Sequence, residues 1–367
     1  MRAAATHPAP DSEPTAARLR AARRLLEERE TSVAAAATIV VVAGLVVWQL
    51  VTVGMSVGQW DLLFVSGCST VIGGLWLARG QSDRFAAMLE RLANRGALER
   101  DDRAVSHAEL ATMQEAIDAR GRRWADRAGV VCGVVIATAF VTVNATRSTH
   151  WPLLPTIVGP LAGAIGGFLV GRPLGRMTSY GLLGRFLDRA DISFRTTPGH
   201  IDGAAGLKPL GDYYLYQALL LLLPAVFLVA WSLILLIPRW DRRYHGWRGP
   251  YLALLGVSIC IELLAFVAPL WRTHTLMKRQ KRAALVRADS DLAPAIVHAQ
   301  RKLEENLDND ERAAARDRLA QLTSSYEEIE TMPTWPLDQA VRRRLTLANA
   351  AVIVPLISQI AALAGWH

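Results

Sequence analysis

Seven blocks of apolar residues constrain the fold of this 367-residue chain more than any other feature. A helix rises 1.5 Å per residue, so roughly 20 uncharged apolar residues cross about 30 Å of hydrocarbon. The alternating segments of a membrane β-barrel do not occur, so we predict an all-α polytopic membrane helix bundle. Its seven spans are expected at residues 32–53, 62–78, 128–145, 152–170, 215–237, 251–270 and 345–365.

The polar stretches between these blocks set the expected domain order. In two of them apolar residues recur at helical spacing, and in the first of these Gly96 ends a run formed by Phe85, Met88, Leu89 and Leu92. Ser106 and Glu109 form a capping-box pattern, and together these patterns indicate a cytoplasmic helical layer. The predicted order is an N-terminal cytoplasmic segment at 1–31, spans one and two at 32–78, a cytoplasmic helical hairpin at 79–127, spans three and four at 128–171, an interfacial helix and a Gly/Pro-rich turn at 172–214, spans five and six at 215–271, a cytoplasmic helical region at 272–341, and span seven at 342–367.

The distribution of positive charge predicts the orientation. Of the 41 Lys and Arg residues, 36 fall in the four segments on one side of the expected bundle. Because positive charge stays on the cytoplasmic side, we expect a plasma (inner) membrane protein with its amino terminus cytoplasmic and its carboxyl terminus outside. The net charge of +8 is then explained by the Lys and Arg residues concentrated in the cytoplasmic segments. It predicts contact with anionic lipid headgroups and gives no reason to expect nucleic acid.

The fourth block carries a regular series of glycines. Residues four apart share one face of a helix, so the series predicts a smooth face that another helix backbone can approach closely. The approaching helix belongs either to the same chain or to a second copy in a homo-oligomer, and the sequence leaves both open. The four glycines are Gly159, Gly163, Gly167 and Gly171.

Glu262 is the only acid deep inside any block. An unpaired carboxylate at that depth is unfavourable, so we expect it to be protonated, hydrogen-bonded or facing water. One interpretation makes Glu262 a pore or gating residue, with Asn144 and Gln217 as further candidates. The other is structural, with a protonated Glu262 bonded to a polar neighbour such as Asn144, Gln217, Ser358 or Gln359.

A segment dense in glycine and proline, residues 197–212, precedes the fifth block. Such a backbone is compact and irregular, with amides that can bind anions. It forms either a structural cap or a ligand site. The glycines do not match a phosphate loop, and one His with one Asp is too few for a metal centre, so no metal or cofactor is expected. The candidates are His200, Asp202, Gly203, Gly206 and Lys208.

The stretch from His200 to Leu207 resembles a His-Pro-Asp-Gly-Ala-Gly-Gly-Leu-like stretch that precedes a span in a group of uncharacterised bacterial multi-pass membrane proteins. Ile201 stands where that stretch has proline, and Ala205 stands where it has glycine. The resemblance implies a bacterial membrane protein and brings no established activity.

Two classes of function remain. The chain has no nucleophile elbow, paired carboxylates, metal-binding helix or nucleotide fingerprint, so we do not expect an enzyme. The first class is an oligomeric ion channel or transporter-like pore gated by its cytoplasmic helices, with Glu262 near the path. The second is a membrane-anchored sensor, effector or scaffold whose cytoplasmic helices bind a protein partner. The sequence slightly favours the pore.

Overall fold

The computed structural model describes residues 62–101, 103–146, 153–234, 248–305 and 308–363, with the single residues Val33, Ala36 and Val40. The expected first span therefore lies almost wholly outside the described residues. The fold is 83% helix, which confirms the mostly helical, all-α prediction. The chain divides into two compact units, residues 1–81 with 128–173, and residues 82–127 with 174–367.

Nine helices and three short strands make up the described part of the chain. In order they are α1 Leu62–Ala78, α2 Gln81–Asn94, β1 Leu98–Arg100, β2 Arg103–Ala104, α3 His107–Thr146, α4 Leu153–Gly181, α5 Leu183–Arg189, β3 Ser193–Phe194, α6 Lys208–Ile234, α7 Arg248–Glu304, α8 Asn309–Glu330 and α9 Gln339–Leu363.

Two of these helices are long and apolar enough to cross a membrane. The stretches are Lys208–Trp231 within α6 and Leu252–Glu304 within α7. A bundle of seven spans is not confirmed. The other expected spans among the described residues fall in α1, α3, α4 and α9. Of these, α1 has only 17 residues, which is at the short limit for a helix that crosses a bilayer.

The core of the second unit is built around aromatic rings. Phe85 of α2 stacks on Tyr180 of α4 with ring centroids 4.4 Å apart, and Tyr213 of α6 lies 5.3 Å from Phe85. The Tyr214 hydroxyl donates to the Tyr180 carbonyl oxygen at 2.9 Å. The apolar stripe expected on α2 is buried in this core, and its members are Phe85, Met88, Leu89 and Leu92.

The connection from α2 to α3 contains the expected glycine and capping box, and it also contains short strands that were not expected. Gly96 adopts a φ of 63° just after α2. Ser106 Oγ accepts from Glu109 N at 3.3 Å and Glu109 Oε2 accepts from Ser106 N at 2.9 Å, which completes the capping box. Strands β1 and β2 lie between Gly96 and Ser106 and pair antiparallel with each other. Strand β1 also pairs antiparallel with β3, which follows α5. Strands of two or three residues are too short to show an alternating pattern in sequence.

The expected interfacial helix is divided in the structure. Its first part continues α4 as far as Gly181, and α5 forms the remainder. Leu183 and Leu187 of α5 are buried in the core of the second unit. The apolar side of α5 is therefore covered by protein, because it packs against the helices of its own unit.

Helix α7 has 57 residues and is about 85 Å long at 1.5 Å per residue. Its first part is apolar, and α8 runs back along its polar second part. Residues 278–304 of α7 together with α8 are called the arm below. Asp308 caps α8, since its Oδ1 accepts from Glu311 N at 2.7 Å. The Tyr326 hydroxyl donates to Asp289 Oδ1 at 2.8 Å and ties the two helices together.

Candidate functional site

The carboxylate of Asp202 organises the Gly/Pro-rich turn. Its Oδ1 accepts from Ala204 N at 2.9 Å and from Gly206 N at 3.0 Å. Its Oδ2 accepts from Lys208 N at 3.3 Å. The side chain of Asp202 is only 5% exposed. The amides that the sequence suggested for an external anion are thus bound to a carboxylate of the turn itself.

Left-handed backbone allows these amides to converge. Gly203 has a φ of 64°, Ala205 of 54° and Gly206 of 89°. Glycine adopts such angles freely, whereas an L residue meets a steric clash between its Cβ and the backbone. Ala205 is therefore the strained member of the turn, and it occupies the position at which the resembling stretch carries glycine.

Charged neighbours complete the surroundings of Asp202. Arg95 Nη1 donates to Asp202 Oδ2 at 2.8 Å, and His200 Nδ1 lies 2.9 Å from Asp202 Oδ1. Burial alone would raise the pKa of the Asp202 carboxyl, but the bonds from Gly206 N, Ala204 N and His200 outweigh burial and lower that pKa. Asp202 is therefore ionised at neutral pH and joins Arg95 after α2 to the start of α6.

Lys208 connects the turn to the last helix. Its Nζ donates to Asp338 Oδ2 at 2.5 Å, and Asp338 Oδ1 accepts from Val341 N at 2.7 Å at the start of α9. Burial raises the pKa of Asp338, yet the Lys208 bond and the Val341 amide lower it on balance. The turn thus holds α6 and α9 together, and its polar groups bind one another.

Glu262 lies on the buried stripe of α7 and has no exposed surface. Asn349 of α9 donates its Nδ2 to Glu262 Oε1 at 3.3 Å. Asn349 was not among the expected partners, which were Asn144, Gln217, Ser358 and Gln359. Two polar residues in the sixth and seventh apolar blocks were visible in the sequence, but their pairing depends on how α7 and α9 meet.

The other polar residues of the apolar blocks are placed elsewhere. Gln217 is buried on α6 and its Nε2 donates to the Tyr213 hydroxyl at 2.9 Å. The Ser358 hydroxyl donates to the Val354 carbonyl oxygen within α9. Asn144 belongs to α3, but its side chain lies outside the described part, as does that of Gln359.

The glycine face of α4 is covered within each unit by α3 of the same chain. In the first unit, a Cβ added at Gly167 would lie 2.6 Å from the Cys132 carbonyl oxygen, and one at Gly171 would overlap the Ala128 carbonyl. In the second unit, Gly175 abuts the backbone of Trp124. Gly163 is also buried, and the surroundings of Gly159 lie outside the described part. The face described here serves intrachain packing.

The arm contains a cleft that sequence reasoning did not anticipate. The cleft lies between α7 and α8 and has a volume of about 490 Å³. Four of its nine lining residues are alanines and only one, Leu322, is a large apolar residue, so the two helices leave space between them. The lining residues are Ala295, His298, Ala299, Lys302, Glu311, Ala314, Ala315, Arg318 and Leu322.

Within the described residues, no group of three or more His, Cys, Asp or Glu side chains is placed to hold a metal ion. No protein-family model, curated protein or solved structure matches the chain. The turn, the Glu262–Asn349 pair and the arm are the candidate functional features of the described residues.

Proposed function

We propose that the chain is a seven-span plasma-membrane protein with its amino terminus and its arm on the cytoplasmic side and its carboxyl terminus outside. The charge distribution supports this orientation, because 36 of the 41 Lys and Arg residues then lie inside. The candidate spans in α6 and in the first, apolar part of α7 support insertion into a membrane.

We infer further that the arm binds a helix of a cytoplasmic protein partner. The cleft between α7 and α8 carries this inference. Helices that pack only on each other fill their seam with interlocking apolar side chains at close-packed density. Here the lining includes Ala295, Ala299, Ala314 and Ala315, and their short side chains leave room for a third helix.

The position of the arm outside the main core supports the same inference. Among the described residues, none from 278 to 331 belongs to the large apolar core of the second unit. The arm is thus not needed to complete that core. Its cleft is bordered by Lys302, Arg318 and His298, with Glu311 as the one acid. The partner expected from this lining is an amphipathic helix with carboxylates beside a narrow apolar edge.

A photocrosslinking experiment tests the arm. Benzoylphenylalanine placed at His298, which is exposed and lines the cleft, should form an adduct with a second protein in intact cells. Ala314→Leu fills the cleft from an exposed position and should abolish the adduct. Ala320→Leu adds the same bulk on α8 outside the cleft and should leave the adduct unchanged.

Two results would contradict partner binding by the arm. The first is an adduct that persists undiminished in Ala314→Leu, since the cleft would then not be the binding surface. The second is an adduct with the mass of two copies of this chain, which would make the arm a self-association surface instead.

The second candidate function is an oligomeric ion channel or transporter-like pore gated by the cytoplasmic helices. A buried acid within the apolar stretch of α7 favours it, because such residues often mark ion or proton paths. Glu262 is bonded to Asn349 inside one chain, so a path along it requires α7 and α9 to separate. That requirement makes the pore the weaker of the two proposals.

Ion flux into proteoliposomes tests the pore. Wild-type protein should conduct, and Glu262→Gln should change the rate, because the substitution keeps the shape and removes the titratable proton. Equal flux from the two proteins, at the level of empty liposomes, would exclude the pore while leaving the arm proposal unaffected.

A further inference from the structure

The contacts of Asn349 fix the orientation of its amide. Its Nδ2 donates one hydrogen to the Leu345 carbonyl oxygen at 3.1 Å and the other to Glu262 Oε1 at 3.3 Å. Rotating the amide by half a turn would place two oxygens against each other at Leu345. Both hydrogens of Nδ2 are therefore donated, and Asn349 Oδ1 points away from the Leu345 carbonyl oxygen.

Two buried oxygen atoms remain without a donor at this pair, and they are Glu262 Oε2 and Asn349 Oδ1. An amide oxygen accepts only, and so does an ionised carboxylate. If Glu262 were ionised, both atoms would stay unsatisfied, which is unfavourable for buried polar groups, and a buried unpaired charge would add to that cost. One proton on Oε2 turns that atom into a donor, which is the kind of group that Oδ1 lacks.

The groups around Glu262 supply no compensating positive charge. On α7 the nearest basic residue is Arg272, ten positions away, and on α9 it is Arg344, five positions before Asn349. Helix α6 packs against both helices, and its buried polar groups Tyr213 and Gln217 bond to each other. In the described part of these three helices, no Lys or Arg side chain is paired with Glu262.

We propose that Glu262 and Asn349 form a proton-binding site between α7 and α9, in which the carboxylic acid and the carboxamide close a cyclic pair. Asn349 Nδ2 donates to one carboxyl oxygen, and the bound proton on the other oxygen is donated back to Asn349 Oδ1. The ligand is a proton from water. When this proton is released, the Glu262 carboxylate can only accept hydrogen bonds, and the bond to Asn349 Oδ1 is lost. This inference holds whether or not the arm binds a partner.

Infrared spectroscopy of the protein in lipid tests the site. At neutral pH the wild type should show a protonated carboxyl C=O band that is lost in Glu262→Gln. Gln at this position can form the analogous amide–amide ring, so the fold should be retained. Asn349→Leu removes the amide donor, so the C=O band should persist and shift to higher frequency.

A hydrophobic carbodiimide provides a second measurement on the unmodified chain, because it reacts with protonated carboxyls in apolar surroundings. Mass spectrometry should find Glu262 labelled at neutral pH and protected at alkaline pH. A wild-type spectrum with no band assignable to Glu262, together with no labelling, would overturn the proposal. A C=O band that does not move in Asn349→Leu would overturn the cyclic pair.

Discussion

At the scale of single residues, the turn shows how one side chain can occupy a cluster of amides. Asp202 accepts from Ala204, Gly206 and Lys208 and lies beside Arg95, so the turn is a braced junction with no free anion-binding amide among these. The sequence left open whether this segment was a cap or a ligand site. The bonds of Asp202 favour the cap.

Ala205→Gly should stabilise the protein. Ala205 has a φ of 54°, and left-handed backbone costs an L residue about 1–2 kcal/mol. Glycine avoids this cost, but its greater conformational entropy in the unfolded chain offsets part of the gain in stability. We expect a net gain of about 0.5–1 kcal/mol, measured by denaturant unfolding in detergent. The control is Ala204→Gly, which lies next to it without positive φ and should destabilise. Equal effects of the two variants would contradict the strain at Ala205.

Acid should weaken the same turn. The pKa of Asp202 is lowered in the folded state, so its stabilisation is present above its unfolded pKa of about 3.9 and is lost as pH falls through the lower folded value. Asp202→Asn should lower the midpoint of thermal unfolding at pH 7 and reduce the loss of stability between neutral and acid pH. If the thermal midpoint of Asp202→Asn depended on pH in the same way as that of the wild type, this role of Asp202 would be contradicted.

At the scale of helices, close approach of α3 and α4 depends on which side of a glycine faces the partner. Gly166 and Gly167 are adjacent, yet a Cβ at Gly166 meets nothing within 4 Å and one at Gly167 meets the Cys132 carbonyl oxygen at 2.6 Å. Gly167 belongs to the four-residue repeat in the sequence, whereas Gly166 does not. The repeat could not identify the helix that covers the face with Gly167.

Gly167→Ala should therefore destabilise the protein by about 1–3 kcal/mol, because backbone atoms must shift to admit the methyl group. Gly166→Ala should be neutral or slightly stabilising, since alanine is favoured over glycine in a helix by about 1 kcal/mol. Thermal unfolding monitored by tryptophan fluorescence distinguishes them. Similar midpoints for both variants would show that α3 does not approach α4 at this face.

The start of α9 combines a cap with an ion pair at Asp338. Asp338→Asn retains a good capping oxygen and loses the charge that pairs with Lys208, whereas Asp338→Ala loses both. The alanine variant should be less stable than the asparagine variant by about 1 kcal/mol, the usual value of an N-cap. The unfolding free energies of the two variants should be compared in the background of Lys208→Met. That background has no ion pair at Asp338, so any remaining difference between the variants is due to the cap. Indistinguishable variants would exclude the cap.

At the scale of the whole molecule, local patterns were predictable and distant pairings were not. The capping box at Ser106 and the end of α2 at Gly96 depend on neighbours within a few residues, and both occur as expected. Glu262 meets Asn349 across 87 positions, and Arg95 meets Asp202 across 107. Such pairs follow from the order in which helices pack, which composition and periodicity do not specify.

Labelling of single cysteines tests the proposed topology. Ile201 is fully exposed in the turn, which lies inside in the proposed orientation, whereas Arg243 belongs to a loop expected outside. With the native cysteines replaced, an impermeant maleimide should label Ile201→Cys only in inverted vesicles and Arg243→Cys only in right-side-out vesicles. Labelling of both from one side would show that the number or direction of spans is wrong.

The unbroken course of α7 has a mechanical consequence. A helix about 85 Å long that pivots near one end by about 5° moves its other end by about 7 Å, which is more than one helical turn. Pro269 and Pro294 remove two of its backbone hydrogen bonds and mark the positions at which it bends most easily. Both prolines lie between Glu262 and the end of α7, so a tilt that begins beside Glu262 would reach the arm only as far as the helix stays straight at these two positions.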